Sequence, residues 1–212
     1  SPDGSRWILA ASTDLDTSED EVIVLGTGDA GSTVVREGTE FGSAVPGVTV
    51  GFIDRNLGVL DDGRYAFATN TDAPSSEDEV LVIWDGSQWV GAVQEGDPVP
   101  GIPNELFGST LRSLSLLESG FELAYNAEST TGDLPSGEDD FLIIGSSIVA
   151  QSDVTIPGNQ AGGAAETWDN FDTDDFYVTP DGTRWIAKGD LNGDTGGDDV
   201  IVVDGDVALQ EG

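Results

Sequence analysis

The chain contains no cysteine, no histidine and no methionine, and only seven of its 212 residues are basic. Each absence excludes a class of chemistry. Without thiol or imidazole there is no disulfide, no Ser–His or Cys–His nucleophile, and no zinc site built on Cys or His. Lys188 is the only lysine, and 41 acidic residues leave a net charge of −34. Such a chain repels nucleic acid and anionic lipid, because both carry the same sign. It favours cations, basic partners or saline surroundings. No apolar run approaches the roughly 20 residues that span a bilayer. The opening SPDG lacks the charged and apolar regions of a secretory signal. An exported protein would have lost its signal, or the chain is part of something longer. The lack of Cys does not exclude export; it removes only disulfide stapling. Helical periodicity with caps is also missing, and NELFGSTLRSL is the nearest approach.

What the chain does have is a repeat. SPDGSRWILAASTDLDTSEDEVIVLGTG, VLDDGRYAFATNTDAPSSEDEVLVIWDG, LLESGFELAYNAESTTGDLPSGEDDFLIIGSS and VTPDGTRWIAKGDLNGDTGGDDVIVVDGD share one layout. Their turn glycines Gly4, Gly63, Gly120 and Gly182 recur about every 60 residues. Each unit runs from a D-G or S-G turn into an apolar strand, an acidic loop, a second apolar strand, a Gly turn and a third strand. Short runs rich in Val, Ile and aromatics, bounded by Gly, Asp and Pro, read as strands buried on both faces. Repeats of this length with several strands each predict an all-β fold. The specific expectation is a β-propeller-like array of about four four-stranded blades, divided near 1–50, 51–108, 109–165 and 166–212. One blade cannot bury both faces alone, and stacked neighbours cover them.

Three stretches, VTVGFIDRNLGVL, STLRSLSLL and NFDTDDFYVT, precede the second, third and fourth turns and read as innermost strands. The first unit has no counterpart. The array is therefore expected to be incomplete, to be completed by a strand from a partner, or to close as a small ring.

The acidic loops align on the pairs Asp20-Glu21, Asp78-Glu79, Asp139-Asp140 and Asp198-Asp199. Six positions earlier stand Asp14, Asp72, Asp133 and Asn192, and four positions earlier Asp16, Pro74, Pro135 and Asp194. In the fourth loop Asp190, Asn192 and Asp194 alternate, with Asp198 following. Alternating oxygen ligands with small residues between them suit Ca²⁺, which gathers six to eight oxygens. Asp14, Asp16, Asp20, Asn70, Asp72 and Asp78 are the corresponding candidates in the first two loops. The pattern is not an EF-hand, since Thr195 and Ile201 occupy positions that need Gly and Glu. The competing reading is a set of solvated turns in an acidic, salt-adapted protein.

Three resemblances follow from these motifs. The exits VVREGTEFG and GAVQEGDPVPG, with DGRYAFA, resemble the EGDPxPG-type repeats of bacterial choice-of-anchor surface proteins. Glu95 to Gly101 matches that signature in full, and QSDVTIPG departs from it. Asp190, Asn192, Asp194 and Asp198 are similar to the calcium loop of the FG-GAP repeats in integrin-type propellers, and Phe41-Gly42 and Phe107-Gly108 echo that family's dipeptide. SPDG and TPDG are similar to TolB-like propeller repeats. These resemblances imply an extracellular or cell-surface module with a structural, adhesive or assembly role. They imply protein partners or further copies of the chain, and Ca²⁺ as a structural ion.

Catalysis would have to rest on carboxylates. A two-carboxylate glycosidase or a glycan-binding propeller is the alternative. In AETWDNFDTDDFY, Trp168, Phe171 and Tyr177, with Phe176, offer a sugar-stacking surface; the competing reading packs them between blades. Trp7 and Trp185 occupy equivalent positions and read as core. Trp84 and Trp89 flank a hairpin turn and predict a cross-strand pair.

Overall fold

The computed structural model describes residues 1–193 and 196–211. The protein is all-β, with four antiparallel sheets that follow one another along the chain. The first sheet contains β1 (Trp7–Ser12), β2 (Glu21–Thr27) and β3 (Ala30–Arg36). The second contains β4 (Val50–Val59), β5 (Tyr65–Thr71), β6 (Glu79–Trp84) and β7 (Trp89–Gln94). The third contains β8 (Leu106–Leu116), β9 (Leu123–Thr131), β10 (Asp140–Ile144) and β11 (Ser147–Gln151). The fourth contains β12 (Trp168–Val178), β13 (Trp185–Leu191), β14 (Asp199–Val203) and β15 (Asp206–Gln210). Every strand pairs with its neighbour in sequence. The three stretches expected as innermost strands are β4, β8 and β12.

The repeat glycines do one job in every sheet. Gly4, Gly63, Gly120 and Gly182 all have φ between 71° and 93°. Each donates its N–H three residues back, for example Gly63 to the Leu60 carbonyl at 3.0 Å. A left-handed residue at this point lets a tight turn match the twist of the flanking strands, and glycine does so without a Cβ clash.

Each sheet has two apolar faces, one toward the sheet before it and one toward the sheet after. Ile8, Ala10, Ile23 and Leu25 face forward from the first sheet onto Tyr65, Phe67, Val80 and Val82 of the second. Ala66, Ala68, Leu81 and Ile83 face forward onto Tyr125, Phe141 and Ile143 of the third. Ala124, Leu142 and Ile144 face forward onto Ala187, Val200 and Val202 of the fourth. The period-2 alternation of strand side chains makes this possible: one strand feeds two cores. The second and third sheets are therefore buried on both faces, as their unbroken apolar runs imply.

The first sheet has three strands, because the first unit lacks the stretch that becomes β4, β8 and β12 in the others, and of the three arrangements left open above the closed ring is not formed: the four sheets do not close. The rear face of the first and the forward face of the fourth stay open, with Leu9 and Ile186 exposed. NELFGSTLRSL belongs to an extended segment, most of it β8, in which Phe107, Leu111, Leu114 and Leu116 are buried.

Candidate functional site

The four acidic loops close in the same way. The N–H groups of Thr13, Thr71, Ser129 and Leu191 donate to the carbonyls of Asp20, Asp78, Asp139 and Asp198 at 2.7 to 2.9 Å. Inside the loops Glu19 donates to the Asp16 carbonyl, Glu77 to Pro74 and Glu138 to Pro135. The position shared by Asp16, Pro74 and Pro135 therefore starts a β-turn, a place where Asp and Pro both occur for conformational reasons. Asp14, Asp16 and Asp72 are exposed, and Asp72 accepts the Thr49 N–H at 2.7 Å. Asn70 lies in β5, where its carbonyl accepts the Thr69 hydroxyl.

In the fourth loop the candidates point to different partners. Asp190 accepts from Asn170 Nδ2 at 3.0 Å, while Asn192 Nδ2 donates to Thr167 Oγ1 at 2.7 Å and Asp153 Oδ1 at 3.3 Å. Asp194 lies outside the described residues. Asp198 contributes its carbonyl to loop closure. Among the described residues, no three acidic side chains converge on a point that could hold a metal ion.

The second acid of the first two pairs has a different task, which sequence reasoning missed. Glu21 Oε2 accepts the N–H of Ile53 on β4, in the next sheet, at 2.5 Å. Glu79 is 2% exposed and forms an ion pair with Arg112 on β8, again in the next sheet. Arg112 also reaches Asp54 on β4 at 3.2 Å. Burial pushes the Glu79 carboxyl up to about 7, against the opposing pull of Arg112. Asp140 is pushed up to about 6, first by burial and then by Glu128, Asp139 and Asp169. Asp169 lies on β12, in the following sheet. The signal was available: in each pair the second acid opens an apolar strand, so its side chain alternates with core residues.

The E-G exits form a second sheet-to-sheet link. Glu37, Glu95, Ser152 and Glu211 donate their N–H to the carbonyls of Glu21, Glu79, Asp140 and Asp199 at 2.8 to 3.0 Å. The next residue turns left-handed and donates forward. Gly38 binds the Val50 carbonyl, Gly96 that of Phe107, and Asp153 that of Trp168. Glu37 and Glu95 also hold buried Oε2 atoms with no hydrogen-bond partner. Burial, followed for Glu95 by neighbouring Asp78 and for Glu37 by Asp20 and Glu21, raises both carboxyls above their ordinary range.

The aromatic candidates separate. Trp168 is 1% exposed and packs on Phe171 at 4.9 Å between centroids, so neither ring offers a free face. Both are corrected from ligand candidates to core residues. Only Tyr177 is exposed. Trp84 and Trp89 pair directly across β6 and β7 at 5.1 Å. Trp7 lies over Gly26 and Gly31, and Trp185 packs on Phe176; both are half-buried rather than fully core.

One cleft lies among β4, β8 and β12. It has a volume of about 380 Å³ and is lined by Asp54, Asn56, Ser113, Asp174, Phe176 and Tyr177. Ser113 has φ 54°, an uncommon value for a non-glycine residue, and its N–H donates to Asn56 Oδ1 at 2.9 Å. Comparison of the chain with protein-family models, with curated proteins and with solved structures finds no match.

Proposed function

We propose that the chain is a non-catalytic, propeller-like repeat module with a structural, adhesive or assembly role outside the cell or at its surface, its acidic loops stabilised by Ca²⁺. One observation carries this reading: the polar residues that recur with the repeat join one sheet to the next. Glu21, Glu79, Arg112 and the E-G turns all work across sheet boundaries. A chain organised this way is a rigid spacer or building block. Its charge of −34 keeps it dispersed, and cations in the loops relieve the repulsion. Thermal unfolding tests the calcium component, measured with EDTA and with added Ca²⁺ at fixed high ionic strength. Binding to the folded state raises the midpoint by mass action. The expected result is a rise specific to Ca²⁺ and lost in the double variant Asp190→Ala, Asp194→Ala. A midpoint that follows monovalent salt alone makes the loops solvated turns.

A second reading, a glycan-binding propeller, is favoured by the cleft among β4, β8 and β12. Tyr177 offers an exposed ring, and Asp54, Asn56 and Asp174 supply polar groups around it. Sugars are commonly held by this pairing of apolar face and hydrogen-bonding rim. In a glycan-binding screen this reading expects binding that Tyr177→Ala removes while leaving the melting midpoint intact. No binding to any glycan counts against it.

A further inference from the structure

The forward face is built from equivalent positions in every sheet. Ala66, Leu81 and Ile83 of the second sheet and Ala124 and Leu142 of the third are 0% exposed. The strand registers place Ile186, Ile201 and Val203 of the fourth sheet at these positions. Ile186 opposes Val203 as Ala66 opposes Ile83, and Lys188 opposes Ile201 as Ala68 opposes Leu81. In the fourth sheet this face is uncovered: Ile186 is 39% exposed, and Tyr177 and Leu209 are more so. An apolar hollow of about 330 Å³ lies there, lined by Tyr177, Trp185, Ile186, Val203 and the stem of Arg184. The rear face of the first sheet is its complement. There Trp7, Leu9 and Val24 hold the positions that Tyr65, Phe67 and Val82 occupy in the second sheet. Leu9 is exposed where Phe67 is fully buried.

An arginine series agrees with this phasing. Arg6 Nε donates to the Asp61 carbonyl in the turn of the next sheet at 2.7 Å. Arg64 donates to the Ser119 and Glu118 carbonyls of the sheet after that, at 2.7 and 3.1 Å. Each of these arginines stands immediately before the first residue of its strand. Arg184 stands in the same place before Trp185, but its guanidinium turns back to Asp204 in its own sheet and is 66% exposed.

Extending the assembly reading above, we propose that the forward face of the fourth sheet docks the rear face of the first sheet of a second copy, with Arg184 capping the carbonyls of that copy's Pro2–Asp3 turn. This contact continues the three sheet-to-sheet interfaces already present in the chain. It brings together apolar residues like those that meet inside it, with the charged Lys188 standing where Ala68 is buried in the second sheet. The association is head-to-tail, so the two contributing surfaces differ and each copy keeps one of each. Repulsion between acidic chains opposes it, and salt is expected to promote it. At about 1 M salt the Debye length falls to roughly 3 Å.

The test is sedimentation equilibrium of the chain in high salt, with Ile186→Asp and Leu9→Asp variants. The unaltered chain is expected to gain mass above 22.0 kDa as concentration rises. Each variant alone is expected to remain monomeric, because one of its two surfaces is spoiled. An equimolar mixture of the two is expected to form a complex of two chains and stop there, since only one good pair of surfaces remains. If either variant fails to fold by circular dichroism, Leu209→Asp or Thr33→Asp replaces it on the same face. The proposal is overturned if the unaltered chain stays monomeric, if the variants associate as it does, or if mixing restores nothing. A monomeric result leaves the calcium melting experiment unaffected, so the two readings fail separately.

Discussion

Glu79, Asp140, Glu37 and Glu95 are carboxyls whose burial favours the neutral form. Their folded pKa values lie above the unfolded value of about 4. Their contribution to stability is thus fully present below that value and is lost as pH rises through about 6 for Asp140 and about 7 for Glu79. Asp62, Asp85, Glu105 and Asp204 are shifted the other way, chiefly by hydrogen bonds from neighbouring N–H and hydroxyl groups. Their contribution is present above the unfolded value and fades as pH falls below it. The melting midpoint is therefore expected to peak near about pH 5 and to decline toward pH 8. Calorimetry across that range at fixed ionic strength checks this, and a midpoint that climbs from 5 to 8 contradicts it. Glu95→Gln removes a buried charge and supplies an amide donor beside Asp78. Urea unfolding at about pH 8 should show a gain of about 1 kcal/mol, the net worth of one hydrogen bond.

At the level of strands and turns, two substitutions separate structural from ligand roles. Trp168→Ala empties a fully buried site against Phe171 and is expected to cost about 3–5 kcal/mol in denaturant unfolding. Gly96→Ala places a Cβ on a residue at φ 85°. It is expected to cost about 1–2 kcal/mol, because left-handed backbone disfavours side chains. The strand runs, the D-G turns, the extra strands β4, β8 and β12 and the Trp84–Trp89 pair were legible in the sequence, because each is a local pattern of period, turn residue and spacing. The roles of the acids were not. Asp190 and Asn192 alternate as metal ligands do, yet their partners are Asn170, Thr167 and Asp153, which lie in other loops and strands. Glu79 reads as one more loop acid until Arg112, 33 residues further on, is brought against it. Spacing along the chain carries no information about such meetings. The same holds for Trp168 and Phe171: an aromatic cluster reads alike whether it lines a groove or fills a core.

At the scale of the molecule, the charge of −34 is carried on a protein whose sheets are held by apolar layers of aliphatic and aromatic side chains. Self-repulsion acts against compactness, so monovalent salt alone is expected to raise the melting midpoint, steeply at low concentration and then levelling as screening saturates. A flat response to salt would mean that the carboxylates are already neutralised by protons or bound cations.

Within each sheet every strand pairs only with its neighbours in sequence, and this has a consequence for how the molecule forms. No strand waits for a distant one, so the chain can organise in the order in which it is made. The loop-closure entropy that slows most β proteins stays small. Each finished sheet becomes the template for the next, and the boundary between order and disorder moves along the chain like a zipper. Backbone amides are expected to exchange with solvent in a graded profile. Protection should be strongest in β5, β6, β9 and β10, which neighbours cover on both sides, and should decline toward β1 and β15, where the zipper starts and stops.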